Sequence, residues 1–219
     1  MKAVIIANGI LEKNETFSET IKQAELIICA DGGASHLIRM GILPHVIIGD
    51  LDSISPEDRA FFNEKSIEMI KYPSEKDVTD TELAAEFAME NKCNDITFLG
   101  VTGTRLDHTL ANIFLLKKLA FRFAGQEGES RVQCKIIDDN NEIYIVSKSL
   151  SLKKTHNAFL SIIPLTETVE GVTTSGLKYP LTNAEMNFGS TLGISNQFLC
   201  ETAIISVKKG VIIVIKSRD

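Results

Sequence analysis

Apolar positions along the chain fall into short, separated runs. Residues 2–7, Leu26-Ile27-Ile28-Cys29-Ala30, residues 46–49, 67–72 and 96–101 are compact and rich in Val and Ile, the pattern of strands buried on both faces. Between them, residues 16–24, 34–40, 56–64, 82–88 and 109–119 read as helices. Gly41 and Pro44 stop the second of these, and Ser55-Pro56-Glu57 opens the third. Any of Asp77, Thr79 and Asp80 has the chemistry to cap the fourth, and capping requires only one of them.

This alternation predicts an α/β fold: a mostly parallel, doubly wound sheet with helices on both faces. Right-handed crossovers bring the strand-to-helix turns to one edge of such a sheet. After the polar stretch Gly125-Gln126-Glu127-Gly128-Glu129-Ser130 the pattern changes. Residues 132–137, 143–146, 150–152, 158–163, 169–174, 202–207 and 211–215 are strand-like, with no helical segment between them. Short strands at close spacing predict a small all-β, sandwich-like C-terminal domain, giving domains 1–147 and 148–219. Lys208-Lys209-Gly210 reads as a hairpin turn joining the last two strands.

Length and charge narrow the possible partners. A chain of 219 residues accommodates one large or two modest domains, and no apolar run reaches the length of a membrane span. A net charge of −6, without a Lys/Arg block interleaved with aromatics, argues against nucleic acid as a partner. Cys29, Cys93, Cys134 and Cys200 are scattered, without C-x-x-C spacing, which fits free thiols in a reducing cytoplasm. The N-terminal run lacks a cleavage site and reads as a first strand.

The expected sheet edge collects the polar chemistry. Gly49-Asp50-Leu51-Asp52-Ser53 follows the third strand and holds two carboxylates one residue apart. Alternation along a strand would turn them to the same side, and Gly49 would let a ligand approach the backbone. Asp31, Asp77, Asp80, Arg105 and Asp107 fall in turns at the same edge, where open parallel sheets bind ligands. Taken alone, each Asp has an ordinary reading as a solvated cap residue; their gathering on one rim favours a site. Hard oxygen ligands favour Mg²⁺ or Mn²⁺. Arg105 offers a planar fork for phosphate oxygens, Gly103 and Thr104 offer donors beside a helix start, and Lys76 adds a cation. These are the parts of phosphoryl-type transfer.

Neither a P-loop nor a G-x-G-x-x-G fingerprint nor a G-x-S-x-G elbow is present. His36, His45, His108 and His156 lack metal-ligand spacing and read as surface or core histidines. Two other functions use the same residues: a Mg²⁺-dependent nucleotide-sugar or nucleotidyl transferase, and a non-catalytic module that senses a nucleotide or another small molecule.

Ala30-Asp31-Gly32-Gly33-Ala34, Gly49-Asp50-Leu51-Asp52-Ser53, Lys76-Asp77-Val78-Thr79-Asp80 and Gly103-Thr104-Arg105-Leu106-Asp107-His108, followed by Asn112, resemble the thiamin pyrophosphokinase (thiamin diphosphokinase) family. Gly176-Leu177-Lys178-Tyr179-Pro180-Leu181 and Gly193-Ile194-Ser195-Asn196 resemble that family's thiamin-binding β-domain. The resemblance implies transfer of the diphosphoryl group of ATP to the thiamin hydroxyl, giving thiamin diphosphate and AMP. It also implies Mg²⁺ and a homodimer with shared active sites. Asp50, Asp52, Asp77 and Asp80 would handle metal and phosphates, with Asp52, Asp77 and Asp80 catalytic and either Asp52 or Asp80 taking the hydroxyl proton. Asp31, Lys76, Thr104, Arg105, Asp107 and Asn112 would serve ATP, and Ser195 and Asn196 thiamin. Some members place a Trp against the thiamin ring; this chain has none, leaving Tyr179, Phe188 and Phe198 as candidates.

Overall fold

The computed structural model describes residues 1–12, 15–121 and 132–218. The polar stretch 125–130 lies outside the described residues. The chain forms two compact units, Met1–Asp139 and Asn140–Asp219.

The first unit alternates as its apolar runs predict: β1 (Lys2–Ile6), α1 (Glu15–Lys22), β2 (Leu26–Ala30), a 3-10 turn (Asp31–Gly33), α2 (Ala34–Met40), β3 (Val46–Gly49), α3 (Pro56–Glu64), β4 (Glu68–Lys71), α4 (Asp80–Glu90), β5 (Asp95–Leu99), α5 (Leu106–Ala120) and β6 (Gln133–Ile137). Its strands pair in parallel in the order β6-β5-β1-β2-β3-β4. Val4, Ile6, Cys29 and Ile47 pack on one face with Phe17 and Ile21 of α1, Leu37 of α2 and Phe62 of α3. The alternate residues Ala3, Ile5, Ile28 and Ile48 are as deeply buried, and α4 lies against β1, β2 and β3. Covering both faces hides the central strands, while β4 at the sheet edge stays partly exposed, and each fully buried Phe or Ile is worth about 1.5–3 kcal/mol relative to exposure.

Local chemistry sets the helix starts. Ser55 accepts a hydrogen bond from Asp58 N at 3.0 Å, with Pro56 at the first helical position of α3. Of the three possible caps for α4, Thr79 takes the role, its Oγ1 accepting from Glu82 N at 3.2 Å. α5 begins at Leu106, three residues before the expected start, which places Asp107 and His108 in its first turn.

The second unit contains β7 (Asn141–Val146), β8 (Ser149–Lys153), β9 (Phe159–Pro164), β10 (Thr168–Ser175), β11 (Ala184–Asn187), β12 (Asn196–Gln197), β13 (Thr202–Ser206) and β14 (Ile212–Ser217). β7, placed before a boundary at 147/148 by the sequence pattern, belongs here through its antiparallel pairing with β14. One sheet runs β12-β9-β14-β7 and the other β11-β10-β13-β8, with Leu160, Ile162, Ile212 and Val214 packed in one core with Val172, Ala203 and Ile205. The expected hairpin between the last two strands is absent. β13 pairs with β10 and β8, whereas β14 pairs with β7 and β9, so residues 208–210 cross between sheets. Lys208 N and Glu170 N bond to each other's side of this crossing, to Glu170 O and Lys209 O respectively, in place of a closed turn. Both strands carry apolar residues for a single core, and opposite sheets satisfy both at once.

Candidate active site

Strand order in the first unit reverses at β1, so the crevice of this open sheet lies beyond the carboxyl ends of β1 and β5. A cleft of about 690 Å³ occupies this position, lined by residues from the turns after all of β1 to β5. The exits of β1 and β5 are joined by Ala7 N to Leu99 O (3.0 Å), Gly9 N to Gly100 O (2.5 Å) and Ile10 N to Thr102 O (2.8 Å). Gly9 is required there, because a Cβ would collide with the Gly100 and Thr102 carbonyls.

The carboxylates converge by turn geometry. β3 ends at Gly49, and Leu51 has a φ of 66°, with its side chain buried in the core. The Asp50-Leu51-Asp52 segment is therefore a tight turn, not the extended alternation its sequence suggests. The left-handed Leu51 returns the chain so that Asp52 N donates to Asp50 Oδ1 at 3.1 Å. That N–H is the main reason the Asp50 carboxyl is held below the ordinary range, with Lys76 contributing. Ser53 Oγ donates to Asp52 Oδ1 at 3.1 Å. Asp31, itself left-handed at φ 41°, brings a third carboxylate, and one oxygen from each of Asp31, Asp50 and Asp52 lies within 4.8 Å of the others.

Gly49 lets this happen. Its φ is 153°, and a Cβ there would stand 2.9 Å from Asp31 Cβ and 3.2 Å from Asp80 Cγ. Asp80 opens α4 beside the group, its carboxyl raised by burial while Lys76 opposes the rise. Asp80 Oδ1 is buried, receives no well-directed hydrogen bond, and has Lys76 Nζ at 3.1 Å. Lys76 also lies 3.9 Å from Asp50 Oδ2 and donates to the Pro73 carbonyl at 3.0 Å.

The residues fit a hard divalent cation. All donors are carboxylate oxygens, and Asp31 Oδ1 is buried without a hydrogen-bond partner. Buried anionic oxygen of this kind is costly unless protonated or neutralised by a cation.

The opposite wall is made by residues 100–105 with His108, Thr109 and Asn112. Arg105 grips Asp107 through Nη2 to Oδ2 (2.6 Å) and Nε to Oδ1 (3.3 Å), and the contact holds the Asp107 carboxyl down at about 2. Gly103 N is engaged by Thr109 Oγ1 at 3.2 Å, and Asn112 Nδ2 donates one of its two hydrogens to Val101 O at 2.8 Å.

Two family models match the chain: "Thiamin pyrophosphokinase, catalytic domain" over residues 17–125 and "Thiamin pyrophosphokinase, vitamin B1 binding domain" over residues 147–212. The thiamine pyrophosphokinase of Bacillus subtilis (strain 168) is 35% identical over 222 residues, covering 100% of both chains.

The chain belongs to the thiamin pyrophosphokinase family.

Crystal structures of family members agree over the full length. The Bacillus subtilis enzyme superposes with a TM-score of 0.86 at 31% identity, covering 100% of each chain. The Enterococcus faecalis family protein gives 0.82 at 30% identity, also covering 100% of each.

Set against the resemblance to thiamin pyrophosphokinases, the expected residues divide into groups. Asp31, Asp50, Lys76, Asp80, Thr104, Arg105 and Asn112 line the cleft, and Asp52 completes the carboxylate triad. Asp77 and Asp107 are exposed and outside the lining. In the second unit, Ser195 is exposed, with its N–H on Ser161 Oγ at 3.0 Å. Asn196 is buried and braces Tyr179, accepting from Tyr179 N (3.0 Å) and donating to Tyr179 O (2.7 Å). Of the three aromatic candidates, Phe198 is in the core, whereas Tyr179 (61%) and Phe188 (68%) are exposed. Asn8, Gly9 and Ser74 also line the cleft and were not anticipated. Asn8 and Gly9 follow β1, and the strand order makes that exit one wall of the crevice.

Proposed function

We propose that the thiamin diphosphokinase reaction of this chain runs in the cleft beyond β1 to β5, with the ATP phosphates facing the Asp31, Asp50 and Asp52 carboxylates. The convergence of those three carboxylates around Gly49, with Lys76 and Asp80 beside them, is the observation that carries this reading.

Asp31, Asp50 and Asp52 would hold a divalent cation, Mg²⁺ by the hardness of the donors, with Asp80 a further carboxylate in the cleft and Asp77, exposed just before α4, outside its lining. Bound there, the cation would neutralise phosphate charge that an acidic site alone would repel. Lys76 keeps Asp50 and Asp80 ionised and oriented. Arg105 reaches phosphate by exchanging Asp107 for it; the pair is exposed, so the exchange costs little. Thr104 supplies a hydroxyl on the same wall. Asn112 supports the wall through the Val101 carbonyl.

The thiamin hydroxyl loses a proton as it attacks the β-phosphorus and AMP departs. Asp80 is the better acceptor of the two carboxylates considered, because burial raises its proton affinity, whereas Asp52 is exposed. Ser195 approaches thiamin directly. Asn196, its amide committed to Tyr179, acts by holding that exposed ring for the substrate.

A homodimer with shared active sites and a cytoplasmic location complete the proposal. Exposed apolar side chains on both units, among them Phe114, Phe188 and Leu199, support the first, and four free cysteines support the second. Among the described residues, no helix is long and apolar enough to cross a membrane.

Incubation with ATP, Mg²⁺ and thiamin, with the nucleotides resolved, tests the reaction. AMP formed in step with thiamin diphosphate is the expected result; ADP as the product overturns the reading.

A further inference from the structure

The turn carrying Asp50 and Asp52 is strained at its centre. Leu51 is β-unbranched but not glycine, and a φ of 66° is unfavourable for it. Two contacts hold it there. Its side chain is buried with Ile54 and Phe62. Its carbonyl accepts a hydrogen bond from Arg59 Nη2, one turn into α3. Arg59 Nε is buried with no hydrogen-bond partner, so the guanidinium is directed to that carbonyl even though another of its donors goes unsatisfied. α3 is in turn fixed at its start by the Ser55 cap and by Arg59 N donating to Ser55 O at 2.9 Å.

We propose that Arg59 is a positioning residue for the cation site: by holding the Leu51 carbonyl it maintains the turn that aims Asp50 and Asp52 at Asp31. The inference rests on reading those three carboxylates as cation ligands. Without the guanidinium, Leu51 relaxes toward the ordinary extended region, and the Asp52 N–H leaves Asp50. The triad then opens, although none of its members has been altered.

The sign of the effect separates this role from simple electrostatics. Arg59 is cationic, so its removal from the neighbourhood of three carboxylates would by charge alone tighten cation binding. Loss of positioning weakens it.

The experiment titrates Mn²⁺ alone into the full-length wild-type chain and into Arg59→Ala and Arg59→Lys, by calorimetry and by the Mn²⁺ electron paramagnetic resonance signal. The expected result is affinity about tenfold or more weaker in Arg59→Ala, the scale seen when groups that orient metal ligands are removed, and a smaller loss in Arg59→Lys. Ethylguanidinium should restore part of the Arg59→Ala loss. It can enter by the surface groove of about 300 Å³ lined by Ile54, Pro56, Arg59, Ala60 and Asn63. Arg59→Lys keeps the stem and charge and serves alone if the alanine variant does not fold. Equal or tighter Mn²⁺ binding in the folded variants, with normal wild-type binding, overturns the role of Arg59 and leaves the cation site standing. Absence of Mn²⁺ binding by the wild-type chain overturns both.

Discussion

Lys76 Nζ lies 3.1 Å from Asp80 Oδ1, joining the turn after β4 to the first residue of α4 at the point where the carboxylates converge. The side chains are only 14% and 25% exposed, so the pair is poorly screened and each partner depends on the other. Lys76→Met leaves Asp80 and Asp50 without a fixed cation and should lower kcat/KM by about 10²-fold. Lys76→Arg, keeping the charge, should recover part of the loss, and steady-state kinetics on both variants checks this.

Gly49→Ala places a methyl group 2.9 Å from Asp31 Cβ on a backbone that side chains rarely adopt. The substitution should cost about 1–3 kcal/mol in urea unfolding and reduce turnover far more than that loss explains, because the displaced neighbours are Asp31 and Asp80. Parallel unfolding curves and rate measurements separate the two effects.

Asp52→Asn is nearly isosteric at an exposed position. Its melting temperature should stay close to wild type while turnover falls by about 10²-fold or more. Unfolding of this variant would instead assign Asp52 to the fold.

His36 gives stability a pH dependence. Its Nε2–H donates to the Gly9 carbonyl at 2.8 Å and its Nδ1 accepts from Arg39, so the folded imidazole is neutral. Burial holds its pKa below the ordinary 6.5, Arg39 adding to the effect and the Gly9 carbonyl opposing it. Between the lowered value and 6.5 the unfolded chain binds the proton and the folded chain does not. Stability from this group is therefore complete above that window and is lost as pH falls through it. Urea midpoints at about pH 7.5 and 5.5 should differ more for wild type than for His36→Gln, which cannot titrate.

Arg105→Ala frees Asp107 from its guanidinium. The Asp107 carboxyl should rise from about 2 toward the ordinary carboxylate range, followed by carboxyl ¹³C NMR. Both side chains are exposed, so the melting temperature should stay unchanged.

The parallel domain was legible because its strands are buried on both faces and their apolar runs interrupt a polar sequence. The sandwich was legible in part. Its long strands alternate clearly, but β11 and the two-residue β12 are too short and polar to carry a pattern, and pairing with neighbours creates them. The hairpin reading of residues 208–210 failed because a turn sequence specifies a reversal, not which sheet receives the next strand.

The site divides in the same way. Residue type and strand endings were enough to gather Asp31, Asp50, Asp80, Lys76 and Arg105 on one rim, since parallel crossovers leave strand exits nowhere else to go. Which of those groups meet was decided by long-range packing: Leu51 pulled into the core and gripped by Arg59, Gly49 leaving room between Asp31 and Asp80, and Thr79 rather than its acidic neighbours capping α4. The family resemblance assigns Asn196 to thiamin, and its buried amide bonds to Tyr179, invisible in the sequence, add the bracing of that residue. Sequence determined the chemistry available at the sheet edge. Tertiary structure decided its geometry, because backbone dihedrals at Leu51 and Asp31 depend on partners far away in the chain.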